Sequence, residues 1–272
     1  MSDVWSNVAG LDDSTQERLA DVLETRAADP QQQAMRRAFL AEVPIPRNAQ
    51  VLEVGCGTGA LARLLAALPG VARVTGVDPA PSLLRHAENL SAGIDTLSFQ
   101  QADGRSLPFD SDSFTIVVFD STLCHVPEPH RALGEAFRVL RSEGLVAIFD
   151  GDYATATVAI EDHDPVQTCV DMMMAHSVHD RRLVRRLPLL VRAAGFEQLS
   201  MRSHGYVESD DPGYMLTIID RGADMLTAAG TIGAATAEAL KAEARRRVAE
   251  GLFFGHVAYG SLIARKPSLP PQ

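Results

Sequence analysis

The chain has 272 residues, 46% of them hydrophobic and 22% charged, which suits one substantial globular domain and excludes a disordered or fibrous class. Its formal charge of −10 argues against nucleic acid as a partner, because a duplex-binding protein needs basic groups against the phosphates. Cys56, Cys124 and Cys169 form neither a zinc spacing nor a disulfide framework, no apolar stretch can span a membrane, and the N-terminus carries no signal pattern, so a cytoplasmic setting is expected.

The spacing predicts helix over residues 14–41, opened by Ser14 with Glu17 as a capping box and broken at Pro30. From residue 48 the texture changes. "QVLEVG" reads as a buried strand, "GALARLLAAL" as a helix, "ARVTGVD" as a strand and "APSLLRHAENL" as a helix. "DTLSFQQAD" and "FTIVVFDS" are strands, "EPHRALGEAFRVL" is a helix and "GLVAIFD" a strand. Strands alternating with helices imply a parallel sheet covered on both faces, and runs such as "IVVF" fit burial on both sides.

Residues 151–186 interrupt this rhythm, ending in the basic cluster "DRRLVRR", read as a solvated helix face. "LVRRLPLLVRAAGF" follows as a helix with a kink or restart at Pro188, then a strand in "EQLSMRSHGYV". One or two helices are expected over 210–250, a last strand in "GLFFGHVAYGSLIARKP", and a frayed tail in "SLPPQ".

The stretch "VLEVGCGTGA" places Gly55, Gly57 and Gly59 where a strand turns into a helix. Glycine there permits unusual dihedrals and close ligand approach, at the edge of a parallel sheet where nucleotides bind. The loop leaves two ligands open. "GCGTGA" satisfies G-x-G-x-x-A, and Asp78 lies about 20 residues on, where an acid would hold a ribose of NAD. Against a pyrophosphate stands Glu53, whose carboxylate would repel it and suits an amine or a sulfonium. Asp103 and Asp120 end the third and fourth strands, so four successive strands bring an acid to one edge.

The order "VLEVGCGTG", "VTGVDPAPSLL", "QADGRSLPFDSDSFTIVV" and "FRVLRSEGLVAIFD" resembles class I S-adenosylmethionine-dependent methyltransferases, in particular the ubiquinone/menaquinone-biosynthesis-like branch acting on small molecules. The resemblance is strong over 48–150 and weaker over 183–206 and 252–266. It implies an α/β fold, a Rossmann-like doubly wound seven-stranded sheet ordered 3-2-1-4-5-7-6 with the last strand antiparallel, carrying N-terminal helices and helical insertions. It also implies one domain over 1–272, with a helical lid over 1–47, a donor-binding core over 48–150, and substrate-covering insertions at 151–186 and 207–250.

Carried over residue by residue, the resemblance puts Glu53, Gly55 and Gly57 around the methionine part of S-adenosylmethionine. It puts Asp78 on the ribose hydroxyls, Pro79 and Ala80 beside the adenine, and Asp103 and Gly104 at the adenine edge. Asp120 and Ser121 fall beside the methionine amine or the reacting methyl. The product would be S-adenosylhomocysteine.

The acceptor side is read from fewer signals. His125, after the fourth strand, is the candidate base, and Asp150, Asp152 and Tyr153 end the fifth strand as candidate acceptor contacts. His176 and His179 lie three apart on an expected helix, but polar residues on a covering segment explain them better, and no metal site is assigned. Tyr206, Tyr214 and His256 are candidate lining residues. The expected function is methyl transfer to the O, N or C of a small-molecule acceptor. The alternatives are an NAD(P)-dependent oxidoreductase and a donor-binding family member without transfer activity. A homodimer is left open.

Overall fold

The computed structural model describes residues 3–268; most of the tail expected to fray lies outside them. The chain order is α1 (Asp13–Ala28), α2 (Pro30–Ala41), β1 (Ala49–Val54), α3 (Ala60–Ala66), β2 (Val71–Asp78), α4 (Pro81–Leu90), β3 (Leu97–Gln101), β4 (Phe114–Asp120), α5 (Pro129–Val139) and β5 (Leu140–Thr157). It continues with α6 (Gln167–Ser177), α7 (Leu183–Ala193), β6 (Glu197–Glu208), α8 (Gly213–Ala228), α9 (Ala234–Ala249) and β7 (Gly255–Arg265). A 3₁₀ segment, Trp5–Gly10, precedes α1.

The seven strands form one sheet in the order β3-β2-β1-β4-β5-β7-β6, the order that the family resemblance implies. β1 pairs in parallel with β2 on one side and with β4 on the other. β7 is antiparallel to both neighbours, β5 and β6. The chain runs outward from β1 to β3, then crosses back to lay β4 beside β1. That reversal opens a crevice at the carboxyl ends of β1 and β4, where ligands of such sheets bind. Val51, Leu52, Val54, Ile116, Val117, Val118 and Phe119 are all buried, as strands covered on both faces must be.

The N-terminal helices break where expected, with Asp29 as the joint. Its carboxylate accepts the Gln32 N–H at 2.8 Å, and Pro30 takes the first helical position, whose N–H has no helical partner to lose. The start of α1 corrects the sequence reading. Asp12, not Ser14, is the cap: its carboxylate accepts the Thr15 N–H at 2.9 Å, and the Ser14 hydroxyl donates to the same group. α2 lies against the sheet, with Phe39 stacked on Phe149 of β5 at 5.6 Å between ring centroids. Val8, Leu19, Ala20, Ala80 and Leu83 form a second apolar cluster that fastens residues 3–28 to α4.

The fifth strand is longer than "GLVAIFD" suggested and runs on to Thr157, so the first residues of the 151–186 segment belong to the sheet. α7 passes through Pro188 without a restart. α8 packs on both its chain neighbour α9 and α6, which comes from a separate stretch of chain. The α6–α8 crossing is close: a Cβ at Gly222 would fall 1.9 Å from the Cys169 carbonyl oxygen. Arg247 of α9 clamps Asp164 ahead of α6 through two bonds of 2.6 and 3.0 Å, both side chains buried.

Candidate functional site

β1 ends at Val54, and the chain turns through Gly55, Cys56 and Gly57 into α3. Gly55 and Gly57 have φ of 74° and 53°, a region that disfavours other residues. The space is as restrictive as the dihedral. A Cβ on Gly55 would lie 2.3 Å from the Thr122 methyl, and one on Gly57 would lie 2.8 Å from Leu23 of α1. Asp78 at the tip of β2 braces the turn, its carboxylate accepting the Gly57 N–H at 3.0 Å and the Ala80 N–H at 2.9 Å. Burial raises the Asp78 carboxyl to about 6 against the downward pull of those two N–H groups.

Glu53, one strand residue before the loop, is buried, and its Oε2 has no hydrogen-bond partner. Burial pushes its carboxyl well above the usual range, and the neighbouring Asp120 charge adds to that shift. Asp120 is met by Arg36 of α2, Nε to Oδ2 at 2.6 Å, with both side chains almost fully covered. Arg36 Nη1 is itself buried without a partner. The crevice therefore holds an unsatisfied carboxyl, a paired carboxylate and a guanidinium with an N–H to spare. That set matches the ammonium and carboxylate of an amino-acid zwitterion.

These groups open on a cavity of about 300 Å³. Glu53, Gly55, Gly57, Asp78, Pro79, Asp103, Gly104, Asp120, Ser121 and His125 line it. Ala80 lies beneath the wall and is fully buried. Asp103 is engaged by Arg105 through Nη2 at 2.7 Å, and this bond holds its carboxyl below the usual range. The remaining wall comes from the N-terminus, through Trp5, Val8, Leu23, Arg26 and Arg36. Sequence reasoning missed these residues. Helical periodicity places Leu23, Arg26 and Arg36 on α1 and α2 but carries no signal of what lies opposite, many tens of residues away in the chain, and Trp5 and Val8 sit on the 3₁₀ segment before α1.

His125 stands at the mouth with its Nδ1 2.7 Å from Asp3. Asp3 also accepts the N–H groups of Trp5 at 3.0 Å and His179 at 2.9 Å. Burial alone would raise the Asp3 carboxyl, but the bond and charge of His125 and those N–H groups bring it below the usual range. The N-terminal segment is thereby tied to the loop after β4. Asp150 and Asp152 do not line the cavity. Asp150 is fully buried and accepts the Cys124 and Gly151 N–H groups at 3.1 and 2.9 Å, and Asp152 pairs with Arg185 at 2.7 Å.

His176 and His179 do not share a helix face, because α6 ends at Ser177 and His176 Nδ1 bonds the Met172 carbonyl. No metal-holding cluster occurs among the described residues. Burial raises the Cys56 and Cys124 thiols well above their usual value, so neither is a ready nucleophile. Tyr206 is spent inside the fold on Glu208, at 2.8 Å.

Residues 52–148 match the family model described as "Methyltransferase domain". Among curated proteins, the ubiquinone/menaquinone biosynthesis C-methyltransferase of Desulfotalea psychrophila is 33% identical over 120 residues, covering 44% of this chain and 48% of that one. The chain spans about half the length of the curated relatives it matches. Among solved structures, the YcgJ protein of Bacillus subtilis superposes with a TM-score of 0.62 at 19% identity, over 87% of this chain and all of that one. The [4+2]-cyclase SpnF superposes with a TM-score of 0.57 at 22% identity, over 89% of this chain and 85% of that one. At such identities these two likenesses concern the fold.

Proposed function

We propose that this chain, whose residues 52–148 match a methyltransferase domain, is a class I S-adenosylmethionine-dependent methyltransferase related to the ubiquinone/menaquinone C-methyltransferases, and that it methylates a small-molecule acceptor. The observation that carries the reading is the unsatisfied pair of buried polar atoms, Glu53 Oε2 and Arg36 Nη1, beside the glycine turn. Buried polar groups are nearly always hydrogen-bonded, and an amino-acid end supplies both missing partners.

In this reading Glu53 and Asp120 take the ammonium and Arg36 the carboxylate. Asp78 accepts from the ribose hydroxyls, and Gly55 and Gly57 let the backbone close on the ligand. Pro79, Ala80, Asp103 and Gly104 border the adenine, and Ser121 flanks the reacting end. When bound, S-adenosylmethionine supplies an activated methyl group on a sulfonium. The chain's task is then to align the acceptor and exclude water. His125 is the base where the acceptor must lose a proton. Asp3 fixes its Nδ1, so Nε2 is the nitrogen that receives the proton. Residues 1–47 act as a lid, and the helices of 151–186 and 207–250 cover the acceptor. Asp150 and Asp152 support this side from behind the wall.

A cytoplasmic location fits three buried, free thiols, and no described helix is long and apolar enough to cross a membrane. Sedimentation of the purified protein decides whether two copies pair.

The test is calorimetric titration with S-adenosylhomocysteine and with NAD, on wild type and Asp78→Ala. Micromolar binding of S-adenosylhomocysteine that the substitution weakens supports the reading. Binding of NAD in its place returns the glycine turn to the dinucleotide class. Product formation across an acceptor panel separates a transferase from a member that only binds the donor.

A further inference from the structure

Just past β3 the cavity wall carries two opposite charges side by side, Asp103 and Arg105. The Asp103 carboxylate accepts the Arg105 backbone N–H at 2.8 Å, its Nε at 3.0 Å and its Nη2 at 2.7 Å. The turn that joins them is closed by the Ser106 N–H, which donates to the Asp103 carbonyl at 2.9 Å. That turn is pressed on β1, for a Cβ at Gly104 would fall 2.6 Å from the Val54 side chain. Both charges are partly exposed, so the forked geometry and the backbone bond hold the pair more than charge alone does.

The other carboxylates of the cavity are engaged differently. Asp78 accepts two backbone N–H groups, and Asp120 meets Arg36 under almost complete cover. Asp103 instead shares the wall with a cation that itself lines the cavity. Nε and Nη2 each commit one guanidinium N–H to the carboxylate, while Nη1 meets no partner among the described residues. A base edge laid here meets spare N–H donors beside a carboxylate already drawn on. Adenine presents a donor at its 6-amino group and an acceptor at N1, and a 6-oxo purine presents the reverse. A bare carboxylate suits the amine and repels the oxo group, whereas a carboxylate and guanidinium together offer a partner to each.

We propose that Arg105 sets the base specificity of the donor site: with Asp103 it forms an edge of both signs that takes a 6-oxo purine nearly as well as adenine. This rests on the methyltransferase reading above, which puts Asp103 at the adenine edge. The adenine amine donates to the carboxylate, and N1 accepts from the guanidinium. A 6-oxo base accepts at O6 from the guanidinium and donates its N1–H to the carboxylate. Removing the guanidinium leaves Asp103 as an acceptor alone, so the oxo base loses its partner and meets a negative charge.

The probes are S-adenosylhomocysteine and S-inosylhomocysteine, which carry an amino and an oxo group at position 6 of the base. Both are titrated calorimetrically into wild type, Arg105→Ala and Arg105→Lys. Wild type is expected to favour the adenine compound by less than about tenfold, because both edges find partners. Arg105→Ala is expected to widen that ratio by at least about tenfold, through weaker binding of the inosine compound. Arg105→Lys keeps the charge without the fork, and its ratio falls between the two.

A wild-type preference for the adenine compound above about tenfold overturns the proposal, as does a ratio that Arg105→Ala fails to widen. Equal loss of both compounds in Arg105→Ala is such a failure, and it makes the guanidinium a general hold on the base in place of a selector. If Arg105→Ala does not fold, the wild-type ratio and Arg105→Lys decide. Binding of neither compound to wild type sinks the methyltransferase reading and this proposal together. Binding of S-adenosylhomocysteine alone sinks the proposal and leaves that reading standing.

Discussion

Arg36 Nε lies 2.6 Å from the Asp120 carboxylate, an ion pair that joins α2 to the tip of β4 across the crevice. The pair has two consequences when one partner is removed. Breaking a buried pair costs about 3–5 kcal/mol because the other charge is left alone, and a charged hydrogen bond to the ligand is worth about 1.5–3 kcal/mol. Arg36→Met is expected to lower the melting temperature and weaken S-adenosylhomocysteine at least tenfold. Calorimetry beside a thermal scan reads both, and unchanged affinity would place the amino-acid end elsewhere.

Asp78 titrates at about 6 in the folded protein, against about 3.9 for a free aspartate. The folded state therefore holds a proton that the unfolded state has released between those values, and stability falls as pH rises across them. For this buried carboxyl the contribution is on the order of 3 kcal/mol. Ribose hydroxyls donate to the ionised form, so S-adenosylhomocysteine should bind more tightly at pH 7 than at pH 5. Titrations at both values check the slope, which Asp78→Ala should remove.

Trp5 is the chain's single tryptophan and packs 6.1 Å from the His125 ring. It is a built-in reporter of the strap that Asp3 holds down. Asp3 has a depressed carboxyl, so its contribution is present above the unfolded value near 3.9 and is lost as pH falls through the folded one. Trp5 emission should change in acid below about pH 4, ahead of the loss of far-ultraviolet circular dichroism. His125→Gln should move that change to higher pH. An emission change that coincides with global unfolding in both proteins would show that the strap does not release on its own.

Gly222→Ala puts a methyl where the Cys169 carbonyl stands. Overpacking of this kind costs about 1–3 kcal/mol or more. The donor crevice lies on other elements, so denaturant midpoints should drop while S-adenosylhomocysteine binding persists below the transition. Loss of both together would mean that the helical cap and the crevice fold as one unit.

The part of the cavity wall built on the glycine turn was legible because its signals are local. The three glycines, Glu53 ahead of them and Asp78 on the next strand sit at spacings that a strand and a tight turn convert directly into positions. The N-terminal contributions were not legible, since α1 and α2 present Leu23, Arg26 and Arg36 to partners decades of residues away, and an arginine on a helix reads as surface until its partner is seen. Asp12 displaced Ser14 as cap because either oxygen can serve and backbone geometry chooses. The end of β5 was misplaced at Asp150 because the following residues, "GDYATAT", lack the apolar run that marked the strand, although pairing with β7 holds them in the sheet.

The insertion of β7 between β5 and β6 has a consequence for how the protein is made. Two strands synthesised earlier, β5 and β6, have no hydrogen-bonded contact with each other except through the strand that leaves the ribosome after both. The donor crevice of β1 and β4 can assemble on the nascent chain, while the edge of β5 stays open until residues 255–265 emerge. An open strand edge is a template for wrong pairing. Chains stalled before β7 should therefore be the forms that chaperones hold, and Tyr259, arriving with that strand, sets Arg26 in place only once β7 has emerged.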